Sequence, residues 1–189
     1  MIDPFSSLRR RRAADPEPGL EPRPARLSET VIVEVMEISH VNNAGNVHGG
    51  AIMRLVDTAA GIAAARHSRR RVVTASMDEM SFVAPVYIGD VVQVRATVNE
   101  AFRSSMEVGV RVDVESVPSN ERRHVASAYL VYVALDEEMR PIPVPPVIAE
   151  SDAERRRQAQ ARIRREQRLV RKQALRRHLA DGADEGKLR

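Results

Sequence analysis

The sequence has no cysteine and no tryptophan, and few aromatic residues of any kind. Without cysteine there is no disulfide framework, no thiolate metal site and no cysteine nucleophile. With only three phenylalanines and three tyrosines, the core must consist mainly of valine, alanine, isoleucine and methionine. No apolar run approaches the roughly 18 residues of a membrane span. The first 26 residues include basic side chains but no apolar segment typical of a secretory signal, so we expect a cytoplasmic protein.

The net charge of +4 is distributed unevenly along the chain. Residues 1–30 carry six basic and five acidic side chains, residues 31–149 carry 11 and 14, and residues 150–189 carry 13 and seven. The basic C-terminal segment contains no aromatic residue. Surfaces that bind nucleic acid combine basic side chains with aromatic ones that stack on bases. We therefore expect no nucleic-acid partner for the core.

The composition divides the chain into three parts. Residues 1–29 are rich in proline and arginine and are predicted to form a disordered arm. Residues 30–149 have the pattern of a folded domain. Residues 150–189 form a basic, charged segment with a thin apolar stripe of Ile163, Val170 and Ala174, which predicts a solvated helix or tail.

Hydrophobic periodicity predicts the elements of the folded domain. Apolar residues alternate with polar ones most clearly in "SSMEVGVRVDVESV", which is typical of a half-buried antiparallel strand. Four more strands are predicted, beginning at Thr30 and covering about 72–80, 92–98 and 124–135. An alanine-rich helix is predicted from about Ala51 to Arg66. The sequence therefore predicts an α+β fold, in which a five-stranded antiparallel sheet wraps around one long central helix.

One carboxylate interrupts this apolar helix. Asp57 shares a helical face with Arg54, Thr58 and Gly61, while small and aliphatic residues cover the rest. Two explanations are open at this point. Asp57 either pairs with Arg54 or Thr58 on a solvated stripe, or lies at the rim of an apolar channel as a general base or nucleophile.

The loop before the helix suits a developing negative charge. Gly49 and Gly50 lie at the helix N-terminus, where unpaired N–H groups and the helix dipole favour anions. Amide side chains at Asn42, Asn43 and Asn46 precede them. Such a set favours attack of water on an activated carbonyl. The loop alone is a weak signal, because glycine-rich turns that cap a helix are common.

The residues together resemble a known family. "NNAGNVHGGAIMRLVDTAAGIAAARH", "VVTASMDEMSFVAPVYIGD" and "FRSSMEV" are similar to the hotdog-fold acyl-CoA thioesterases, in particular the cytosolic (brain-type) acyl-CoA hydrolases and their bacterial relatives. The resemblance covers about residues 30–150. Its most specific feature is the spaced set Asn-x-x-Gly-x-x-x-Gly-Gly, then Asp, then Phe-x-x-Pro-x-x-x-Gly-Asp.

The resemblance implies a hydrolase that releases a fatty acid and CoA at a site between two subunits. Asp57 would act as base or nucleophile, Asn42 would orient water or the thioester from the other subunit, and the Gly50 amide would polarise the carbonyl. Arg103, Ser104 and Ser105 match a segment near the CoA phosphates in relatives, although an ordinary polar turn also explains them. Further candidates for binding substrate are His48, Gly49 and Thr74, and for His48 the alternative is a structural role in the loop. A homodimer, a trimer of dimers, and no metal or redox cofactor are implied, since CoA belongs to the substrate.

Two other functions are weighed against this one. A hotdog hydratase or dehydratase would need a histidine beside its acid, and His48 would have to supply it. A non-catalytic acyl-CoA sensor would bind the same ligand without hydrolysing it.

Overall fold

The computed structural model describes residues 20–117 and 119–185. The helices are α1 (Gly49–Ser68) and α2 (Asp152–Glu185). The strands are β1 (Arg23–Pro24), β2 (Thr30–Val35), β3 (Arg71–Phe82), β4 (Val91–Ala101), β5 (Ser105–Ser116), β6 (Glu121–Leu135) and β7 (Val147–Ile148). In this part of the chain neither helix is apolar over a length that would cross a membrane.

Five strands form one antiparallel sheet in the order β2-β4-β5-β6-β3. Helix α1 contacts each of these strands, so the sheet curves around it. The predicted α+β architecture, a five-stranded antiparallel sheet around one long helix, is confirmed. We call the sheet face that packs on α1 the inner face and the opposite one the outer face.

Small side chains on α1 let the sheet come close to the helix backbone. The alanines that are fully buried on α1 are Ala59, Ala60, Ala63 and Ala64. Each adds only a methyl group, so strands can approach the helix from several directions. On the sheet, the four alternating valines of β5 are at most 4% exposed and fill the inner face. They are Val108, Val110, Val112 and Val114.

Helix α1 is two residues longer at each end than the sequence predicts. At its start the Nδ1 atom of His48 accepts a hydrogen bond from the Gly50 amide at 2.9 Å, which caps the helix. At its end Arg69 has a left-handed backbone conformation, with φ of 53°, which stops the helix. Neither device involves the apolar periodicity from which the prediction was made.

The prediction of a disordered arm through residue 29 is wrong for its last part. Strand β1 pairs in parallel with β7, and residues 25–28 form a 3-10 turn. Ser28 is fully buried, and its Oγ accepts from the Val98 amide at 2.9 Å and donates to the Ala25 carbonyl at 2.7 Å. The Ser28 hydroxyl thus supplies an acceptor to β4 next to an irregularity in its pairing with β5. Residues 1–19, also predicted to belong to the arm, lie outside the described residues.

A buried histidine joins both ends of the domain to α1. The Nε2 atom of His67 lies 2.8 Å from the Pro145 carbonyl oxygen, and Arg23 donates to the His67 carbonyl at 2.7 Å. Burial lowers the pKa of the His67 imidazole below its usual value, and the charge of Arg23 acts in the same direction. His67 is therefore neutral in the folded protein at pH 7.

Helix α2 docks on the outer face through arginines, which corrects the prediction of a solvated helix. Glu107 is fully buried there, and Arg164 binds it with an Nη2–Oε1 distance of 2.6 Å. The Arg164 guanidinium also lies 3.6 Å from the centre of the Tyr129 ring. The predicted apolar stripe is not the docking surface, because Ile163 is 54% and Val170 66% exposed.

Further ion pairs fix the same part of α2. Arg162 binds the nearly buried Glu100 at 2.6 Å, and Arg168 binds Asp78. Asp78 lies in a bulge of β3, between Met77 and Glu79, and has no partner in register on β6. The bulge directs its side chain towards α2. Arginines of α2 therefore attach the helix to the sheet, in addition to keeping its exposed side solvated.

We expect Arg164→Ala to lower the free energy of unfolding by about 3 kcal/mol, because the substitution leaves Glu107 buried with incomplete compensation. Chemical denaturation followed by circular dichroism measures this change. Arg155→Ala is the matched control, since its partner Asp152 is exposed at the start of the same helix. Equal stability of the two variants would contradict the assigned role of Arg164.

His67 predicts a pH dependence of stability. Its folded pKa lies below the ordinary value of 6.5, so its contribution is complete above pH 6.5 and is lost as the pH falls towards the folded value. The free energy of unfolding of the wild type should therefore fall between pH 7.5 and acidic pH more steeply than that of His67→Gln. Identical pH slopes in the two proteins would show that this prediction is wrong.

Candidate active site

Asp57 lies near the middle of α1 on the side exposed to solvent in the single chain. Its two nearest polar neighbours on the helix are engaged elsewhere. Arg54 Nη2 lies 3.4 Å from Glu34 Oε1, and Thr58 Oγ1 donates to the Arg54 carbonyl at 2.8 Å. The explanation that Asp57 pairs with Arg54 or Thr58 on a solvated stripe is therefore wrong.

The Asp57 carboxylate is held by two hydroxyl groups from the sheet. Thr74 Oγ1 on β3 and Tyr132 Oη on β6 each lie 2.8 Å from Asp57 Oδ1 as donors. Thr74 and Tyr132 are directly opposite each other in the β3–β6 register, so the two donors form one cross-strand pair. Adjacent strands thus bring both hydroxyls to a single carboxylate oxygen.

The other carboxylate oxygen is open. Oδ2 of Asp57 accepts no hydrogen bond from the residues that the structure describes, whereas Oδ1 accepts two. Hydroxyl donors stabilise the ionised form of a carboxylate and fix its rotation. The arrangement gives a negatively charged, oriented oxygen at the protein surface, which is the geometry of a general base.

Sequence reasoning missed Tyr132. The residue is 2% exposed on the inner face, and burial raises the pKa of its phenol well above the ordinary value of 10.0. Tyr132 is therefore neutral and a hydrogen-bond donor at working pH. A tyrosine within an otherwise apolar strand does signal a buried hydroxyl that needs a partner. Asp57 could not be identified as that partner from the sequence, because it lies on α1, 75 residues away, and only the packing of the helix on the sheet brings the two together.

The loop before α1 is closed by its own polar groups. Asn42 Oδ1 accepts from the Ala44 amide at 2.8 Å, and Asn42 Nδ2 donates to Asn46 Oδ1. A backbone bridge between Val41 and Val47 closes the loop at its base. Asn42 therefore shapes the loop, and within the described chain it forms no hydrogen bond with Asp57.

The sequence predicts unpaired N–H groups in the first turn of α1, but the Gly50 amide is already hydrogen-bonded. The Gly50 amide donates to His48 Nδ1, so it has a partner in this structure. His48 is thus a helix cap whose Nδ1 is an acceptor. Gly49 faces the Phe82 ring, since a Cβ added to Gly49 would lie 3.6 Å from its Cζ atom. Phe82 is 48% exposed and forms an apolar wall beside the helix N-terminus.

The turn between β4 and β5 lies at the same end of the sheet as Asp57. Ser105 pairs with Val133, the residue after Tyr132, and the carbonyl of Ser104 accepts from the Ala134 amide at 3.0 Å. Backbone contacts therefore hold the turn. Arg103 is exposed and forms no ion pair with any side chain in the described ranges. Its guanidinium can meet an anionic ligand.

A groove of about 360 Å³ lies elsewhere, on the outer face of the sheet. Its arginines are already paired, with Arg95 and Arg111 3.2 Å and 2.9 Å from Asp113 and Arg122 2.7 Å from Glu115. It contains no carboxylate oriented by neutral donors. Among the residues that the structure describes, no group of three or more His, Asp or Glu side chains could hold a metal ion. Asp57 is therefore the candidate for a catalytic group among the described residues.

Comparison with known proteins places the chain in a family. The sequence profile of the thioesterase superfamily matches residues 44–118. The cytosolic acyl coenzyme A thioester hydrolase of Rattus norvegicus is 36% identical over 139 residues, which are 72% of this chain and 36% of the relative. The chain thus spans about a third of the length of that relative.

Two similarities come from solved structures. An acyl-CoA hydrolase from Staphylococcus aureus, solved with butyryl-CoA and CoA, is 33% identical with a TM-score of 0.78, covering 86% of this chain and 99% of its own. A hexameric acyl-CoA thioesterase is 32% identical with a TM-score of 0.78, covering 80% of this chain and 97% of its own.

The S. aureus enzyme has also been solved with alanine in place of an asparagine, an aspartate and a threonine. The aspartate follows the asparagine by 15 residues and the threonine follows the aspartate by 17. Asn42, Asp57 and Thr74 have the same two spacings here. The fold, the sequence identity and the coverage agree, and this chain belongs to the thioesterase superfamily, with the hotdog fold.

Proposed function

We propose that this protein hydrolyses acyl-CoA thioesters to a free fatty acid and CoA. The observation that carries the proposal is the Asp57 carboxylate, with Oδ1 held by two neutral donors and Oδ2 open at the surface. On the central helix of a thioesterase-superfamily chain, such a carboxylate can activate the water that attacks the thioester. Relatives named as acyl-CoA thioester hydrolases support the substrate class.

In the proposed reaction Asp57 acts as a general base. A water molecule on Oδ2 gives its proton to that oxygen while its own oxygen attacks the carbonyl carbon of the thioester. The tetrahedral intermediate then collapses, the carbon–sulfur bond breaks, and the proton on Asp57 passes to the departing thiolate. The products are a carboxylic acid and the free thiol of CoA. No metal or redox cofactor takes part in these steps.

The helix N-terminus is proposed to stabilise the negative oxygen of the intermediate. Gly50 supplies an amide there, and the dipole of α1 favours negative charge at the same place. Because His48 Nδ1 now accepts from that amide, a bound carbonyl oxygen must share the Gly50 N–H or displace the ring. Gly49 places no side chain between the helix N-terminus and the Phe82 ring.

The CoA moiety is proposed to lie towards the β4–β5 turn. Arg103, Ser104 and Ser105 offer a guanidinium and two hydroxyls, a combination that suits phosphate groups. The S. aureus relative was solved with butyryl-CoA and CoA, which supports a ligand of this kind. Thr74 contributes through Asp57, since its hydroxyl donates to that carboxylate.

The proposed active unit is a homodimer. Strand β3 pairs with β6 along one side and forms an edge of the sheet. Exposed apolar residues lie along or just after this edge, namely Val73, Phe82 and Val83. A second copy of the chain that pairs with β3 would cover them and bring Asn42 of one subunit towards Asp57 of the other. The hexameric relative supports a further assembly of three such dimers.

We also propose a location for the protein and compare the hydrolase function with its two alternatives. The rat relative is named as cytosolic, and we extend a cytoplasmic location to this chain. A dehydratase would need His48 as an acid or base, but His48 Nδ1 caps α1. A non-catalytic sensor would bind acyl-CoA and leave it intact, an outcome that the following experiment detects.

We expect Asp57→Asn to reduce kcat for acyl-CoA hydrolysis by at least about 100-fold, because the amide cannot accept the proton from water. Release of free thiol from a series of acyl-CoAs of increasing chain length measures this loss. Asp152→Asn, at the exposed start of α2, is the control and should retain full activity. Wild-type protein that binds the series without releasing thiol would instead support the sensor function.

A mixed dimer tests whether the site is shared. Asn42→Ala and Asp57→Ala homodimers should both be inactive, and co-expression of the two chains should restore about a quarter of wild-type activity. Random pairing gives half mixed dimers, each with one site that retains both residues. No recovery in mixed dimers that are folded and purified by two tags would contradict a site built from both subunits.

A further inference from the structure

We propose that Tyr132 is a positioning residue that makes Oδ2 of Asp57, and not Oδ1, the oxygen that takes the proton from water. The inference rests on the proposed hydrolase function and deepens it. It follows from the division of hydrogen bonds between the two carboxylate oxygens, which is a property of this chain's own side chains.

The phenol of Tyr132 has two acceptors at the same distance. Its Oη lies 2.8 Å from Asp57 Oδ1 and 2.8 Å from the Asp57 backbone carbonyl oxygen. The hydroxyl carries one hydrogen, which will favour the ionised carboxylate while Asp57 is charged. When Asp57 has accepted a proton, the hydrogen can turn to the carbonyl, so the phenol keeps a partner in both states. Tyr132 stabilises the charged form more, because its hydrogen bond to the carboxylate is stronger than its hydrogen bond to the neutral carbonyl.

The two donors are held more firmly than the carboxylate. The Tyr132 ring is buried between strands, with Met106 opposite it on β5 and Thr74 opposite it on β3. The ring lies against α1 at Gly61, where an added Cβ would be in ordinary contact with Cε1 at 3.5 Å. Thr74 is β-branched and has few rotamers. The carboxylate of Asp57 therefore aligns with the two donors through Oδ1, and Oδ2 is left without a donor among the described residues.

The electrostatic surroundings agree with this assignment. Tyr132 is the titratable side chain that hydrogen-bonds Asp57 within the described ranges, and burial together with the Asp57 charge keeps its pKa high. Arg54, about one turn before Asp57 on the same helix, is directed to Glu34. Within the described ranges the side chains that donate to Asp57 are thus neutral hydroxyls, and no ion pair with an arginine holds its carboxylate.

The test compares Tyr132→Phe with Tyr129→Phe. We expect Tyr132→Phe to lower kcat by about tenfold, the scale of one hydrogen bond to a charged group, with little change in KM. Its acid limb of kcat/KM should move to higher pH, because the ionised carboxylate has lost a donor. Tyr129 lies on the outer face under Arg164, and its substitution should change neither quantity.

A second pair of variants keeps the test decisive if Tyr132→Phe is poorly folded. Thr74→Val removes the other donor to Oδ1, whereas Thr74→Ser retains it. We expect Val, and not Ser, to reproduce the lower kcat and the shifted acid limb. A fall in kcat without a shift of the acid limb in both Tyr132→Phe and Thr74→Val would overturn the inference.

The outcomes separate this inference from the proposed function. If Asp57→Asn is inactive while Tyr132→Phe behaves as the wild type, Tyr132 has no positioning role and the hydrolase function stands. If Asp57→Asn is fully active, both the function of Asp57 and the role of Tyr132 are overturned. If Asp57→Asn is inactive and the acid limb shifts in Tyr132→Phe, the inference is supported.

Discussion

The close packing of the sheet around α1 is the constraint on which the rest of the structure depends. Fully buried alanines on the helix let the strands approach its backbone, close enough for the Tyr132 hydroxyl to reach both the carbonyl and the carboxylate of Asp57. A larger side chain at these positions would push the strands outwards and break the hydrogen bonds that orient Asp57. The same packing therefore forms the core and sets the catalytic geometry.

The two faces of the sheet are stabilised by different interactions. The inner face carries the valines and the Tyr132–Thr74 pair, while the outer face carries a fully buried Glu107 that the arginine of α2 neutralises. Buried ion pairs stabilise only when both partners remain, so α2 and the sheet depend on each other. His67 connects the end of α1 to the segment before β7 in a similar way. None of these contacts involves Asp57.

Sequence patterns predicted the sheet and the helix well, because alternating valines and buried alanines are local signals. They identified Asp57 as the unusual residue, but its partners came from strands 17 and 75 residues away in sequence. Bulges in β3 and β4 shift the register by amounts that alternation does not reveal. Ser28 was assigned to a disordered arm because its hydrogen-bond partner is an amide on β4, 70 residues away in sequence. The docking of α2 was missed because it uses arginines, which periodicity counts as solvent-exposed.

The account is tested most directly by a crystal structure with an acyl-CoA analogue that has a methylene group in place of the thioester sulfur. We predict the carbonyl carbon of the analogue near Asp57 Oδ2, at a separation that one water molecule bridges, with Thr74 and Tyr132 still donating to Oδ1. An analogue bound away from Asp57, or a carboxylate turned so that Oδ1 faces the carbonyl, would contradict the account.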